Sequence, residues 1–381
     1  MNQNSKFKIQ NSSGKLLDSK IEIKSKYKLT KKNLPVIYTP GVAELSRAIA
    51  RNKKKVYDLT WKKNSVAIVS DGSAVLGLGN LGPEAALPVM EGKATLFKEM
   101  GGVDAVPMVL ATQDAEEIIR ITKAIAPGFG GINLEDISAP RCFEIERRLI
   151  KELDIPVFHD DQHGTAVAVL AGLINAFKVA KKNIKSAKIV ISGAGAAGLA
   201  ITKLLLEYGA KNVIIFDSRS PLCKICAYNK NDAKDEIAKK TNLGNFKGTL
   251  KEALVGADVF VGVSAPNLLK AGDVRRMNGK AIVFAMSNPV PEISYKEAKK
   301  GGTMVVATGR SDFPNQINNA LVFPGLFRGA LDTRTKIITD KLKIKAAEAI
   351  AGLVKNPKSD KIVPEVLDKK VARAVSGVFR R

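Results

Sequence analysis

From Ser65 onward, short apolar runs alternate with longer stretches whose apolar residues recur at helical spacing. SVAIVSD, DAVPMVLA, GINLED and IPVFHDD read as strands, each bounded by Gly, Pro or Asp. Between them, PEAALPVMEGKATLFKEM, DAEEIIRITKAIAP and the segment Pro140–Leu153 read as helices. This is the rhythm of a parallel sheet covered by helices. A helix over Gly164–Ala180 follows, and then a Lys-rich connector, KKNIKSAK. Beyond it, KIVISGAGAAG, NVIIFD, ADVFVGVSA, KAIVFAMSN and TMVVATG supply five short strands, rich in Val and Ile and so buried on both faces. The tail Asp332–Arg381 reads as helical, Cys223–Thr241 as a polar surface excursion, and the first thirty residues as an irregular or helical lead-in.

The 381 residues suggest two or three domains, and 45% hydrophobic with 26% charged residues excludes wholesale disorder. The run AVAVLAGLINAF from Ala166 is too short to span a bilayer, and the first residues hold no apolar stretch of signal-peptide length. Three cysteines are too few for a disulfide framework, and the expectation is a cytoplasmic protein. Lys+Arg exceeds Asp+Glu by 61 − 37 = 24. No nucleic-acid-binding motif accompanies this excess and aromatics are only 6%, so it reads as a solvated face that also favours small anionic substrates.

Two G-x-G-x-x-G segments occur. Gly77-Leu-Gly79-Asn-Leu-Gly82 lies several residues past its strand, with no acid-terminated strand at the right distance, and reads as a decoy. The second, Gly193-Ala194-Gly195-Ala196-Ala197-Gly198, follows the strand KIVIS directly and opens a helix. The next strand ends in Asp217, which completes the context of a Rossmann-like dinucleotide site. Asp217 favours NAD through the ribose diol, whereas Ser218 and Arg219 could serve the 2′-phosphate of NADP; the lean is to NAD.

Two acid pairs, Glu135-Asp136 and Asp160-Asp161, stand at carboxyl ends of strands. Converging carboxylates need a cation or protons between them, and all-oxygen ligands suit Mg²⁺ or Mn²⁺; helix capping is the competing reading. His159 and His163 carry zinc-like i, i+4 spacing but sit at a strand end, and Cys223-x-x-Cys226 lacks a second pair, so both zinc readings are weak.

With these features on the page, the chain resembles the malic enzymes in their short prokaryotic form. YTPGVAE, DGSAVLGLGNLG, EGKATLFK, INLEDI, FHDDQHGTA, GAGAAG, SNPVPEI and ATGRSDFPNQINNALVFPGLFRGALD occur in order between Tyr38 and Asp332. The resemblance implies an α/β protein with an amino-terminal malic-type domain (residues 1–163) and a Rossmann-like NAD(P)-binding domain with a helical tail (164–381). It implies metal-dependent oxidative decarboxylation of (S)-malate to pyruvate and CO₂, with reduction of NAD(P). Glu135, Asp136 and Asp161 would hold the metal, with Tyr38 and Lys93 catalytic and Asp160 hydrogen-bonding Lys93 or substrate. Asn288 and Asn318 would contact substrate and nicotinamide, and the protein would be a homodimer or higher homo-oligomer. A nearby cation and partial burial would depress the pKa of Lys93, freeing it to take the hydroxyl proton. Ala74 stands where longer relatives carry a carboxylate-gripping arginine, which leaves that role to Ser73 or backbone amides. Two other readings compete: a non-decarboxylating 2-hydroxy-acid or amino-acid dehydrogenase, and, more distantly, a nucleotide-sensing nucleic-acid-binding protein.

Overall fold

The computed structural model describes residues 18–224 and 232–380. A short lead-in carries α1 (Leu34–Ile37), α2 (Val42–Arg51) and α3 (Val56–Leu59). The first sheet comprises β1 (Ser65–Ser70), β2 (Asp104–Val109), β3 (Gly131–Leu134) and β4 (Val157–His159), in the order β2-β1-β3-β4. All its pairings are parallel. Helices α4 (Pro83–Gly101), α5 (Ala115–Ile125) and α6 (Arg141–Glu152) make the crossovers. Sequence marks their ends: Pro83 opens α4 where a missing N–H costs nothing, Gly102 closes it at φ 63°, and the Asp114 carboxylate caps α5.

The second sheet comprises β5 (Lys188–Ser192), β6 (Asn212–Phe216), β7 (Val259–Gly262), β8 (Ile282–Ala285) and β9 (Val305–Thr308), in the order β6-β5-β7-β8-β9. These are the five predicted strands, again all parallel. The strand order reverses beside β1 in one sheet and beside β5 in the other, the positions where open α/β sheets place their ligands.

Helix α7 (Asp160–Ala180) joins the two sheets. It begins four residues before the expected Gly164, so Asp160, Asp161 and His163 belong to its first turn rather than to a strand end. Its polar opening hides this start, because Asp and His do not advertise a buried helix. At 21 residues and mean hydropathy 1.4, it alone among the described helices has the length and composition to cross a bilayer. It is nevertheless core, with 15 of its 21 residues buried. It packs on α8 (Ala196–Glu207) and on α14 (Asp340–Gly352) of the tail.

Between β6 and β9 lie α9 (Asp232–Ala238), α10 (Leu250–Ala253), α11 (Ala271–Val274) and α12 (Tyr295–Lys300). The tail is α13 (Phe323–Thr333), α14 (Asp340–Gly352) and α15 (Lys369–Gly377). The expected polar excursion is only partly that, since Ile237 and Ala238 of α9 join the core. Cys223 is disulfide-bonded, and Cys226 lies outside the described residues. Helix α13 packs on α4, where Phe97 meets Phe323 tilted and Phe327 edge-on, so one apolar core runs from the first sheet through α7 and α13 to the second.

Candidate active site

Strands β3 and β4 are neighbours, with Leu134 opposite His159, so the two acid pairs that follow them stand side by side. Asp136 is held at φ 52°, in the left-handed region, by its carbonyl accepting from Ala74 and its Oδ1 from the Leu76 N–H at 3.4 Å. Its own N–H donates to Asp161 Oδ2 at 2.9 Å. One carboxylate oxygen each from Glu135, Asp136 and Asp161 lies within 4.8 Å of the others. Lys93 reaches in from α4, donating to Asp160 and to Glu135 at 2.7 Å. Its ammonium sits 4.2 Å from the centroid of the Phe323 ring, a desolvated cation–π contact. Asn319 donates to Asp160, and Asn133 to Glu135.

Burial governs the charges. Lys93, Glu135, Asp136 and Asp160 are each at most 6% exposed. Desolvation alone would lower Lys93, but Asp160, Glu135 and Asp161 outweigh it and raise the amine above its ordinary value. The expected depression assumes a nearby cation, which belongs to the loaded site; the protein alone surrounds Lys93 with anions. Desolvation raises Glu135 to about 7, Asp136 to about 8, Asp160 to about 7 and Asp161 to about 6. Repulsion among the carboxylates adds to this, while Lys93 pulls Glu135, Asp160 and Asp161 back.

Four carboxylates therefore share one ammonium, and Asp136 Oδ2 is buried without a hydrogen-bond partner. Such an oxygen-only, electron-rich triad fits a hard divalent cation. The histidines do not join it. Lys343 donates to His163 Nδ1 (3.1 Å), which fixes the proton on Nε2, and that N–H donates to Glu146 (2.9 Å). His159 is buried, with both ring nitrogens unpartnered.

The glycine turn of the second sheet supplies the other wall. A Cβ on Gly193 would lie 2.5 Å from the Val263 carbonyl oxygen, and one on Gly198 only 1.7 Å from that of Gly193. A Cβ on Gly195 would meet nothing within 4 Å, so the open face of the turn is free for a pyrophosphate at the amino end of α8. Asp217 closes β6, its carboxylate accepting from the N–H groups of Arg219 and Ser220 and from Lys234. The expected decoy is a wall of the same space: a Cβ on Gly77 would lie 1.6 Å from the Asn288 carbonyl oxygen, so that loop docks on the SNPVPEI segment.

A cleft of about 970 Å³ is lined jointly by Lys93, Glu135, Asp136 and Asp161, by Gly195, Ala196 and Ala197, and by Asn288 and Asn318. Asn318 lines the cleft and also caps the turn that follows it. Two expected residues are not presented to the cleft of this chain. Tyr38 is 67% exposed and does not line the cleft, because α1 stands on the surface. Ser73 is committed to Asp71 and to the Ser138 N–H, leaving no hydroxyl for substrate. Sequence reasoning missed Asn319 and Phe323, although both lie in the motif that supplied Asn318.

Residues 18–150 match the family model "Malic enzyme, N-terminal domain", and 162–377 match "Malic enzyme, NAD binding domain". The chain is 56% identical to the NAD-dependent malic enzyme of Geobacillus stearothermophilus, over 94% of this chain and 75% of that one. It is 52% identical to the bifunctional malic/malolactic enzyme of Bacillus subtilis, over 95% and 89% of the two chains. The crystal structure of the NAD-dependent malic enzyme of Thermotoga maritima superposes with a TM-score of 0.91 at 48% identity, covering 95% of this chain and 96% of that one. The chain belongs to the malic enzyme family.

Proposed function

We propose that this NAD(P)-dependent malic enzyme converts (S)-malate to pyruvate and CO₂ with the residues of the cleft in the following roles. One observation carries the assignment: the buried Lys93 and the acid triad face the open glycine turn across a single cleft. Glu135, Asp136 and Asp161 would hold Mg²⁺ or Mn²⁺, which polarises the substrate hydroxyl and draws charge off the enolate. The glycine turn would seat the dinucleotide that takes the hydride from C2.

Lys93 takes the proton of the C2 hydroxyl; a cation held by the triad would engage the carboxylates that otherwise raise its pKa. Asp160, held by Asn319, keeps the amine aimed into the cleft. Asn288 and Asn318 orient substrate and nicotinamide. Tyr38 protonates C3 of enolpyruvate from a second copy of the chain. That assignment rests on its exposure within a lead-in that also exposes Ile23, Tyr27, Leu29 and Val36, an apolar surface suited to a homodimer or higher homo-oligomer.

Asp217 sets a preference for NAD. Desolvation raises its pKa, but the amides of Arg219 and Ser220 and the Lys234 ammonium outweigh that and keep it ionised. An anion there accepts from a ribose diol and repels a 2′-phosphate. The two domains meet within α7, whose first turn carries the 163/164 division, and the protein's place is the cytoplasm.

The test is absorbance at 340 nm with (S)-malate, Mn²⁺ and either NAD or NADP, with and without chelator. Chelator-sensitive reduction with equimolar pyruvate is expected, faster with NAD. Oxaloacetate without pyruvate would mean a simple dehydrogenase, and no turnover in folded, metal-loaded protein would overturn the reading.

A further inference from the structure

The carboxylate of Glu292 is fully buried, and no salt bridge reaches it among the described residues. It lies in SNPVPEI, beyond the end of β8, and does not line the cleft. Its two oxygens reach two different loops. Oε1 accepts the N–H of Ser264, which follows β7, at 2.7 Å, and Oε2 accepts the N–H of Ser287, which follows β8, at 3.1 Å.

Gly262 makes the room, because a Cβ there would lie 2.4 Å from the Glu292 carboxyl carbon. The two loops are further tied by Ser287 Oγ donating to the Ser264 carbonyl (3.2 Å). Ser264 is in turn tied to the glycine turn through its Oγ and that of Ser192, at 2.8 Å. Ser264 lines both the glycine-turn pocket and the catalytic cleft, and Ser287 with Asn288 lines the latter.

We propose that Glu292 is a positioning residue for the dinucleotide: one buried carboxylate pins the β7 and β8 loops at the spacing that seats the nicotinamide half over the cleft. The inference rests on the dinucleotide reading above. A carboxylate is required because both of its ends accept. Glutamine would turn an N–H toward one of the two amides, and aspartate is one methylene too short to reach both. Leaving a buried amide unpaired is costly, and the loop that bears it shifts.

Binding of NADH to Glu292→Gln, followed by ligand fluorescence and calorimetry alongside Mn²⁺ binding and steady-state kinetics, tests this. The wild-type chain must bind NADH, and if it does not, the dinucleotide reading itself fails. Given that, Glu292→Gln raises the Kd for NADH and the KM for NAD by about tenfold or more, as expected for loss of a charge-assisted hydrogen bond. The Kd for Mn²⁺ stays within about twofold, the scatter of an unperturbed site, because no member of the acid triad lies on these loops. Ser192→Ala frees the same loop from the opposite side and raises the NADH Kd by a smaller factor; it decides the matter if Glu292→Gln does not fold. An unchanged NADH Kd in folded Glu292→Gln, even with lowered Tm, would overturn the proposal. So would equal losses of Mn²⁺ and NADH affinity.

Discussion

The two walls of the cleft are made of different materials. The wall from the first sheet consists of charged side chains taken out of water: Lys93 amid Glu135, Asp136, Asp160 and Asp161. The wall from the second sheet consists of backbone, a turn whose glycines either make close contacts or leave a face empty. Charge in a dehydrated pocket is costly until a counter-ion arrives, so the first wall is poised to bind a cation and exchange protons. Backbone amides at a helix end are already in place, so the second wall holds phosphate with little titration of its own. On the proposed roles, chemistry belongs to the first wall and affinity for the carrier to the second.

The largest effect that would break this division is at Lys93. Lys93→Met should lower kcat by roughly 10²–10⁴-fold, the usual worth of a positioned acid–base group, with the NADH Kd unchanged. A loss under tenfold in steady-state turnover would remove Lys93 from the chemistry. Next, Asp136→Asn should weaken Mn²⁺ binding by about 100-fold or more, read by electron paramagnetic resonance, again without moving NADH.

The glycines give the converse. Gly195→Ala should raise the NADH Kd by about tenfold at unchanged Tm, because its Cβ enters only the space left for the ligand. Gly198→Ala should instead lower Tm by about 5 °C or more, since its Cβ strikes the Gly193 carbonyl. The smallest effect concerns pH. Folded-state pKa values raised above the ordinary carboxylate range mean that the folded protein binds more protons than the unfolded chain between about pH 4 and 8. Stability from these groups is therefore fully present below about pH 4 and lost as pH rises from there to about 8. Metal-free Tm should fall over that window, and saturating Mn²⁺ should abolish the fall.

The backbone wall was the more legible in sequence. Val- and Ile-rich runs and a glycine spacing at a strand–helix junction are local patterns, and β5, α8 and Asp217 stand where those patterns put them. The acid pairs were legible as candidates because they end strands, but their convergence depends on β3 lying beside β4, a pairing of distant segments. The anions that raise the amine of Lys93 in the metal-free protein follow from burial, which no spacing encodes. Glu146 and Glu292 left no signal at all, since an isolated glutamate reads as solvated until the fold surrounds it. Tyr38 matched its motif, yet the described chain leaves it on the surface.

The most direct test of the central contrast is the number of protons released when Mn²⁺ binds the free enzyme at pH 7, measured by calorimetry in buffers of differing ionisation enthalpy. The account predicts release of about one proton or more, since carboxylates raised toward neutrality must ionise to bind the cation. Release should fall in Asp136→Asn and stay unchanged in Gly195→Ala. Tight Mn²⁺ binding with no proton release, or with equal release in Asp136→Asn, would contradict it.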